Sequence, residues 1–171
     1  MTANLIVNDD ALFRNVPMVR FERLFPGPIE RVWDFLVNPE RLPGWFGEAT
    51  IEPRMGGDVR LLGGHVRGVV TTWSPPRRLT YTWNVFGPGD TATPYPESYV
   101  NFELEQRGDD VLLVLTHLPV LERFEKQNAM GWHTFLDMLT DALSGRSVEA
   151  RDAYMRRNAD RYGVDLSNLV R

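Results

Sequence analysis

Apolar and polar residues alternate along much of the middle of the chain, a pattern typical of β-strands that bury one face. Between Leu79 and Val85, apolar residues occupy every odd position and threonine or asparagine every even one. Short turns rich in glycine or proline separate these segments, so neighbouring strands are predicted to be antiparallel. The predicted strands cover residues 17–25, 48–53, 58–62, 66–74, 79–86, 98–106 and 111–118.

Helical spacing replaces this alternation on either side of the strand-rich region. Pro28 fits the first position of one helix, and Asn38 followed by proline predicts a second, short helix. A long helix is predicted over 121–144, because apolar residues recur from Trp132 in a single stripe. Gly145 is a suitable residue to end it.

The sheet and the long helix each have one apolar surface to bury. Strands 79–86 and 98–106 are polar on one side, so the predicted sheet faces water there. Packing the helix stripe across the concave side of a strongly curved sheet covers both apolar surfaces, which predicts an α+β domain. Strand 111–118 is apolar on both sides, so its pattern alone does not say which side faces inward.

The amino-acid composition restricts the possible chemistry of the chain more than it restricts the possible folds. The 171 residues include no cysteine and only three histidines, which excludes thiol nucleophiles, disulfides, zinc–thiolate sites and iron–sulfur clusters in this chain. The net charge of −4 argues against a nucleic-acid or anionic-membrane binder, because both require a positive surface. No targeting segment or membrane-spanning run is visible, so we expect a cytoplasmic protein without a metal or cofactor.

The predicted elements divide the chain into three parts. Residues 17–145 hold the sheet and its helices, and residues 1–16 form an N-terminal arm without clear periodicity. Residues 146–171 form a tail, in which Ser147 predicts the start of a separate, more polar helix over 148–162. Three roles are open for the tail: covering a cavity, contacting a second subunit, or packing on the outside of the domain.

Six short motifs, in order along the chain, resemble those of one protein superfamily. They are IERVW at 29–33, NPERLPGWF at 38–46, MGG at 55–57, PPRRLTYTW at 75–83, LTH at 115–117 and GWHTFLDML at 131–139. The chain is similar in these segments to the START/SRPBCC superfamily. Within it, the motifs resemble the branch named for the activator of the heat-shock chaperone ATPase.

The resemblance implies a helix-grip fold, in which a curved seven-stranded antiparallel sheet is wrapped around a long C-terminal helix. Two small helices close one end, and a cavity for an apolar small molecule lies between the long helix and the sheet. The matching motif places Leu113, Leu115 and His117 inward on the last strand. The chain departs from the family at Phe46, where a second tryptophan is common.

The inner face of the sheet and the helix stripe supply the candidate ligand-binding residues. These residues are Trp45, Phe46, Tyr81, Trp83, Phe102, Leu115, His117, Trp132, Phe135 and Leu136. Aromatic rings with polar tips need hydrogen-bond partners or water, which favours an open cavity over a filled core. His117 is either a donor or general base in this pocket, or a buried histidine bonded to the backbone. We expect His133 in solvent, so the histidines do not converge on a metal ion.

These observations favour the binding of a small hydrophobic or aromatic molecule between the sheet and the long helix. An aromatase/cyclase-like or hydrolase-like enzyme using the same pocket is the alternative. No catalytic residue is assigned, and His117 and Tyr81 are the acid–base candidates for that alternative. A co-chaperone or other protein-binding module is a second alternative. Because the pocket is mostly hydrocarbon, we favour binding over catalysis, and a homodimer is compatible with the sequence.

Overall fold

Seven antiparallel strands form one curved sheet in the computed structural model, which describes residue 11 and residues 15–171. The strands are β1 (Val19–Pro26), β2 (Ala49–Ile51), β3 (Asp58–Leu61), β4 (Val66–Ser74), β5 (Arg78–Val85), β6 (Ser98–Arg107) and β7 (Asp110–Leu118). Their order in the sheet is β1-β7-β6-β5-β4-β3-β2. The predicted arm, residues 1–16, lies outside the described residues except at positions 11, 15 and 16.

Three α-helices accompany the sheet in the described part of the chain. They are α1 (Ile29–Val37), α2 (Glu125–Leu143) and α3 (Arg151–Tyr162), with turns of 3-10 helix at Leu42–Gly44, Leu62–Gly64 and Glu122–Phe124. The predicted α+β helix-grip fold is confirmed, and α2 is its long helix. None of the helices in these described residues is long and apolar enough to cross a membrane.

The second predicted helix is reduced to a single turn. Asn38 ends α1 instead of starting a new helix, and its side-chain oxygen accepts a hydrogen bond from the Glu40 N–H at 2.9 Å. The turn at Leu42–Gly44 takes the tighter 3-10 form, which suits short segments. Gly47 then adopts a φ of 116°, a conformation that glycine accepts readily, and it directs the chain into β2.

Helix α2 lies on the concave side of the sheet and buries the predicted apolar stripe. Trp132, Leu136 and Leu139 are at most 3% exposed. Thr134 and Met138 lie on the opposite side of the helix and are buried as well, because α3 packs against that side. Helix α2 is therefore enclosed between the sheet and the tail.

The tail places α3 on the outer side of α2, so the prediction that His133 is solvated is wrong. The His133 side chain is 15% exposed, and its Nδ1 lies 2.8 Å from the Tyr162 hydroxyl oxygen. On the same helix, Asn158 donates a hydrogen bond to Asp137 at 3.0 Å. Polar residues of α2 that looked solvent-facing in the sequence are thus covered by polar residues of α3. The helix starts at Arg151, later than the predicted residue 148.

Burial alternates strictly along β7. Leu113, Leu115 and His117 face the core and are at most 3% exposed, while the residues between them lie half-buried on the outer side. This is the inward face that the family resemblance implies. It brings the His117 imidazole within hydrogen-bond distance of α2.

Candidate functional site

A cavity of about 270 Å³ opens between the ends of β5, β6 and β7 and the start of α2. The strands contribute Trp83, Val85, Ser98 and His117 to its wall. The segments before β6 and after β7, together with the first turn of α2, contribute most of the rest. Small-molecule sites commonly have volumes of roughly 300–1,000 Å³, and this cavity lies just below that range, which limits it to a small ligand.

Apolar and aromatic side chains form most of the cavity wall. Tyr95 and Phe124 close one side, with their rings edge to face and their centroids 5.5 Å apart. Pro119, Val120 and Leu121 continue the apolar surface between β7 and α2. Among the described residues that line the cavity there is no arginine, lysine, aspartate or glutamate. An apolar molecule placed here would therefore not strip water from a charged side chain.

Four side chains form a hydrogen-bonded group at the buried end of the cavity, which we call the His117 network: Ser98, His117, Asn128 and Trp132. The Trp132 Nε1–H donates to His117 Nδ1 at 3.0 Å. The Asn128 Nδ2 amide group lies 3.1 Å from the same nitrogen. On the other side of the ring, His117 Nε2 lies 2.9 Å from Ser98 Oγ.

Trp132 fixes the tautomer of His117, because an indole N–H can only donate. Nδ1 must therefore be the unprotonated nitrogen, and Nε2 carries the hydrogen that is donated to Ser98 Oγ. Ser98 in turn donates to the carbonyl oxygen of Trp83 at 3.2 Å. Burial lowers the pKa of His117 to about 4, so its ring is neutral at pH 7.

This arrangement leaves His117 without a free nitrogen for acid–base chemistry. Its Nδ1 accepts from two donors, and its Nε2–H is held by Ser98. Tyr81, the other acid–base candidate, does not line the cavity, and burial raises the pKa of its hydroxyl group. Over residue 11 and residues 15–171, no group of three or more histidine, aspartate or glutamate side chains is arranged to hold a metal ion.

Trp83 and His117 are the two predicted ligand-binding residues that line the cavity. The other eight belong to the packed interior beside it. These eight are Trp45, Phe46, Tyr81, Phe102, Leu115, Trp132, Phe135 and Leu136. Most of the face that the sequence assigns to ligand binding is thus occupied by the protein's own side chains, and its role in binding stays a prediction.

Phe46 packs between the long helix and the sheet, the region in which the family resemblance implies a cavity. Its ring centroid lies 4.6 Å from that of Phe135 and 5.9 Å from that of Trp132. The indole N–H groups find partners inside the protein, since Trp45 donates to the Phe35 carbonyl oxygen at 2.8 Å and Trp132 donates to His117. We call the packed rings of Trp45, Phe46, Phe102, Trp132 and Phe135 the aromatic cluster.

Sequence patterns missed the lining residues that come from connecting segments. Tyr95 and Phe124 belong to no strand or α-helix, so no periodicity assigns them to a face. Ser98 carries a usable signal, because two-residue alternation places it on the inward side of β6 with Val100. Asn128 carries one too, because it lies one helical turn before Trp132.

The last residues of the tail reach the cavity wall. Gln127 lines the cavity, and its side-chain amide makes two hydrogen bonds with the backbone of Val170. The Val170 N–H donates to Oε1 at 3.0 Å, and Nε2 donates to the Val170 carbonyl oxygen at 3.3 Å. The tail therefore packs outside α2 and ends beside the cavity.

Comparison with known proteins places the chain among helix-grip proteins. Residues 26–144 match the model of the family described as Activator of Hsp90 ATPase homolog 1-like protein. The chain is similar to CalU16 from Micromonospora echinospora at 27% identity and a TM-score of 0.70, over 85% of this chain and 86% of that one. The protein encoded by gene BPP1335 from Bordetella parapertussis is 26% identical, with a TM-score of 0.66 and 93% of both chains covered.

A more distant structural likeness shows the fold alone. Aha1 from Colwellia psychrerythraea, which was solved as a dimer, is 20% identical with a TM-score of 0.60. The match covers 74% of this chain and 96% of that one. No curated protein matches the chain.

Proposed function

The chain belongs to the Activator of Hsp90 ATPase homolog 1-like protein family, and from that premise we propose that it binds a small hydrophobic or aromatic molecule in the cavity beside Trp83. Proteins with this fold commonly bind hydrophobic ligands. The observation that carries the proposal is a largely apolar cavity that the chain leaves open although the neighbouring aromatic cluster is close-packed.

The cavity combines the two properties of a small-molecule site. Apolar walls supply affinity, because burying apolar surface releases about 25 cal/mol per Å². A few fixed polar groups, here Ser98 and Asn128, orient the ligand, and His117 holds both of them in place. A micromolar Kd, or about 8 kcal/mol of binding free energy, is within reach of a ligand of about ten non-hydrogen atoms.

The hydrogen bonding of His117 favours binding over the aromatase/cyclase-like or hydrolase-like alternative. A general base needs a lone pair directed at its substrate. In this site the Nδ1 lone pair of His117 is directed at Trp132 and Asn128. Since the likeness to Aha1 shows only the fold, it gives no second function the same support. A homodimer stays a prediction that size-exclusion chromatography with light scattering can test.

Tryptophan fluorescence tests the proposal, because Trp83 lies in the cavity wall. A panel of aromatic and lipid-like compounds is titrated into the wild-type protein and into Trp83→Phe and Trp73→Phe. Trp73 is the control, since it packs against Trp33 at 5.3 Å and does not line the cavity. At least one compound should change the emission of the wild type and of Trp73→Phe, and most of that change should disappear in Trp83→Phe.

The opposite result is equally clear. If no compound alters the emission, and a crystal structure of the ligand-free protein shows side chains filling the space beside Trp83, the proposed function is wrong.

A further inference from the structure

Strand β1 has one edge that pairs with no other strand of the described chain. It lies at the end of the sheet order, and β7 occupies its other edge. The opposite end of the sheet is closed by β2, which is only three residues long, whereas β1 has eight. An edge of that length presents a row of backbone N–H and C=O groups to which a further strand can bind.

The outer side of β1 carries an order of side chains that is complementary to itself when reversed. Met18, directly before the strand, and Leu24 near its end are 48% and 57% exposed. Between them Arg20 and Glu22, both exposed, form an ion pair along the strand. The order is apolar, positive, negative, apolar, so a second copy running antiparallel presents apolar side chains to apolar ones and each charge to its opposite.

One register gives this match. It places Phe21 opposite the partner's Phe21, on a two-fold axis. Arg20 then faces the partner's Glu22, and each such contact is formed twice. Leu24 faces the partner's Met18. Moving the register by two residues, the smallest step that keeps the outer sides together, puts Arg20 opposite Arg20 or Glu22 opposite Glu22, and like charges directly opposite each other destabilise a strand pair.

The inner side of β1 is compatible with the same register. Phe21 is half-buried, with its ring edge to face with that of His133 at 5.5 Å, so its remaining surface can be covered by the partner's ring. Arg23 already donates to Asp137 at 2.8 Å within its own protomer. Pairing therefore places no unpaired charge of the inner side against the partner.

We propose that a second copy of this chain binds to the free edge of β1, so that two antiparallel β1 strands join the sheets of two protomers across a two-fold axis at Phe21. Charges on an edge strand commonly oppose pairing, but here their alternation favours one partner, the same strand reversed. Because a single strand pair buries little surface, the dimer should form reversibly as the protein concentration rises. No residue of β1 lines the cavity, so this inference is independent of the proposed function.

Sedimentation velocity over a series of protein concentrations at low salt tests the charge contacts. Arg20→Glu and Glu22→Arg should each weaken self-association about tenfold, because each dimer then contains two repulsive contacts in place of two attractive ones. The double variant Arg20→Glu/Glu22→Arg should dimerise as the wild type does. Glu105→Arg is the matched control: it breaks the ion pair with Arg107 and makes the same change in net charge, but it lies on β6, which has a strand on both edges.

Mixing experiments test the register and the strand direction. With one protein of each mixture carrying a fluorescent label, the Arg20→Glu and Glu22→Arg proteins should bind each other about as tightly as the wild type binds itself, because opposite charges then meet at both contacts. The double variant should not bind the wild type, since like charges meet there.

Three results would overturn the inference. The wild type stays monomeric at every concentration, in which case no second copy occupies the edge of β1. Alternatively, it dimerises but the Arg20 and Glu22 variants associate as it does or no more weakly than Glu105→Arg, which places the dimer contact elsewhere. Or the double variant mixes freely with the wild type, which contradicts the register. Circular dichroism should confirm that every variant is folded.

Discussion

The aromatic cluster and the cavity lie side by side between the same sheet and the same helix, yet one is filled and the other is open. In the cluster, Phe46 enters from the segment after α1 and contacts rings from both α2 and the sheet. Beside the cluster, His117 is hydrogen-bonded to Ser98 and to Asn128, and these bonds fix the positions of the three side chains. Trp132 belongs to both regions, with its ring in the cluster and its N–H in the network.

The difference shows what keeps a cavity open inside a small domain. Apolar side chains close-pack because they gain contacts in many orientations. Hydrogen-bonded side chains are held at set distances and angles, so they cannot move to fill a neighbouring void. The filled region should therefore carry stability and the open region should carry binding, and four experiments test that division.

Removing the Phe46 ring should have the largest effect on stability. Phe46 is 1% exposed and packs against several aromatic rings, so Phe46→Ala should lower the free energy of unfolding by about 3–5 kcal/mol. Phe124→Ala is the comparison, because Phe124 lines the cavity and is half-buried. It should cost roughly 1 kcal/mol in urea unfolding. Equal losses in the two variants would contradict the division.

Acid should destabilise the protein in part through His117, which lies in the open region. The pKa of His117 is about 4 in the folded protein and about 6.5 in an unfolded chain. Because the folded state disfavours the proton, its stability is full above pH 6.5 and falls as the pH drops toward 4. The loss from this group is roughly 3 kcal/mol.

Urea unfolding at pH 7 and pH 4 measures this contribution. His117→Gln should be less stable than the wild type at pH 7, but should lose less stability between the two pH values. The exposed His65 provides the control, since His65→Gln should keep the wild-type pH dependence. If His117→Gln and the wild type respond to acid identically, the assigned role of His117 is wrong.

Helix α3 should stabilise the filled region without affecting the open one. Arg151 of α3 donates to the Phe46 carbonyl oxygen at 2.8 Å, and its guanidinium lies 4.8 Å from the Phe135 ring centroid. Arg151→Ala should lower the free energy of unfolding by about 1–2 kcal/mol and leave ligand affinity unchanged. The control is Arg156→Ala on the exposed side of α3, with an expected change within about 0.5 kcal/mol. Altered ligand affinity in Arg151→Ala would show that the two regions are coupled.

Of the four changes, filling the cavity should alter the free energy of unfolding least, and it should abolish ligand binding. Val85→Phe adds a ring to the half-buried wall, so it should abolish the fluorescence response while changing the free energy of unfolding by less than about 1 kcal/mol. Val69→Phe makes the same change on a residue that is 41% exposed and should keep the response. A Val85→Phe protein that still binds its ligand would place the site elsewhere.

The fold could be predicted because its signals are periodic. Alternation in β5 and β6 and the stripe on α2 each specify a buried face, and together they require a sheet that curves around a helix. Strand β7 is apolar on both sides, so the family resemblance was needed to turn His117 inward. The solvent exposure of His133 was mispredicted, because the residues of α3 that cover it are polar and show no apolar stripe.

The candidate site was predicted less completely than the fold. A face assignment shows which way Phe102 or Trp132 points, but it cannot show how far the helix stands from the sheet at each level. That distance depends on side chains from loops, such as Tyr95 and Phe124, and on hydrogen bonds that the sequence does not display. Most of the candidate residues chosen from the sequence therefore lie in the packed interior beside the cavity, and Trp83 and His117 are the two of them that line it.

The contact between Gln127 and Val170 makes the end of the tail a practical reporter position. The chain has no cysteine, so Arg171→Cys would introduce its sole thiol, one residue from a backbone that is hydrogen-bonded to the cavity wall. An environment-sensitive dye attached there would lie next to the cavity without replacing a lining residue. Such a labelled protein would allow ligands to be screened by visible fluorescence, including compounds that absorb where tryptophan emits.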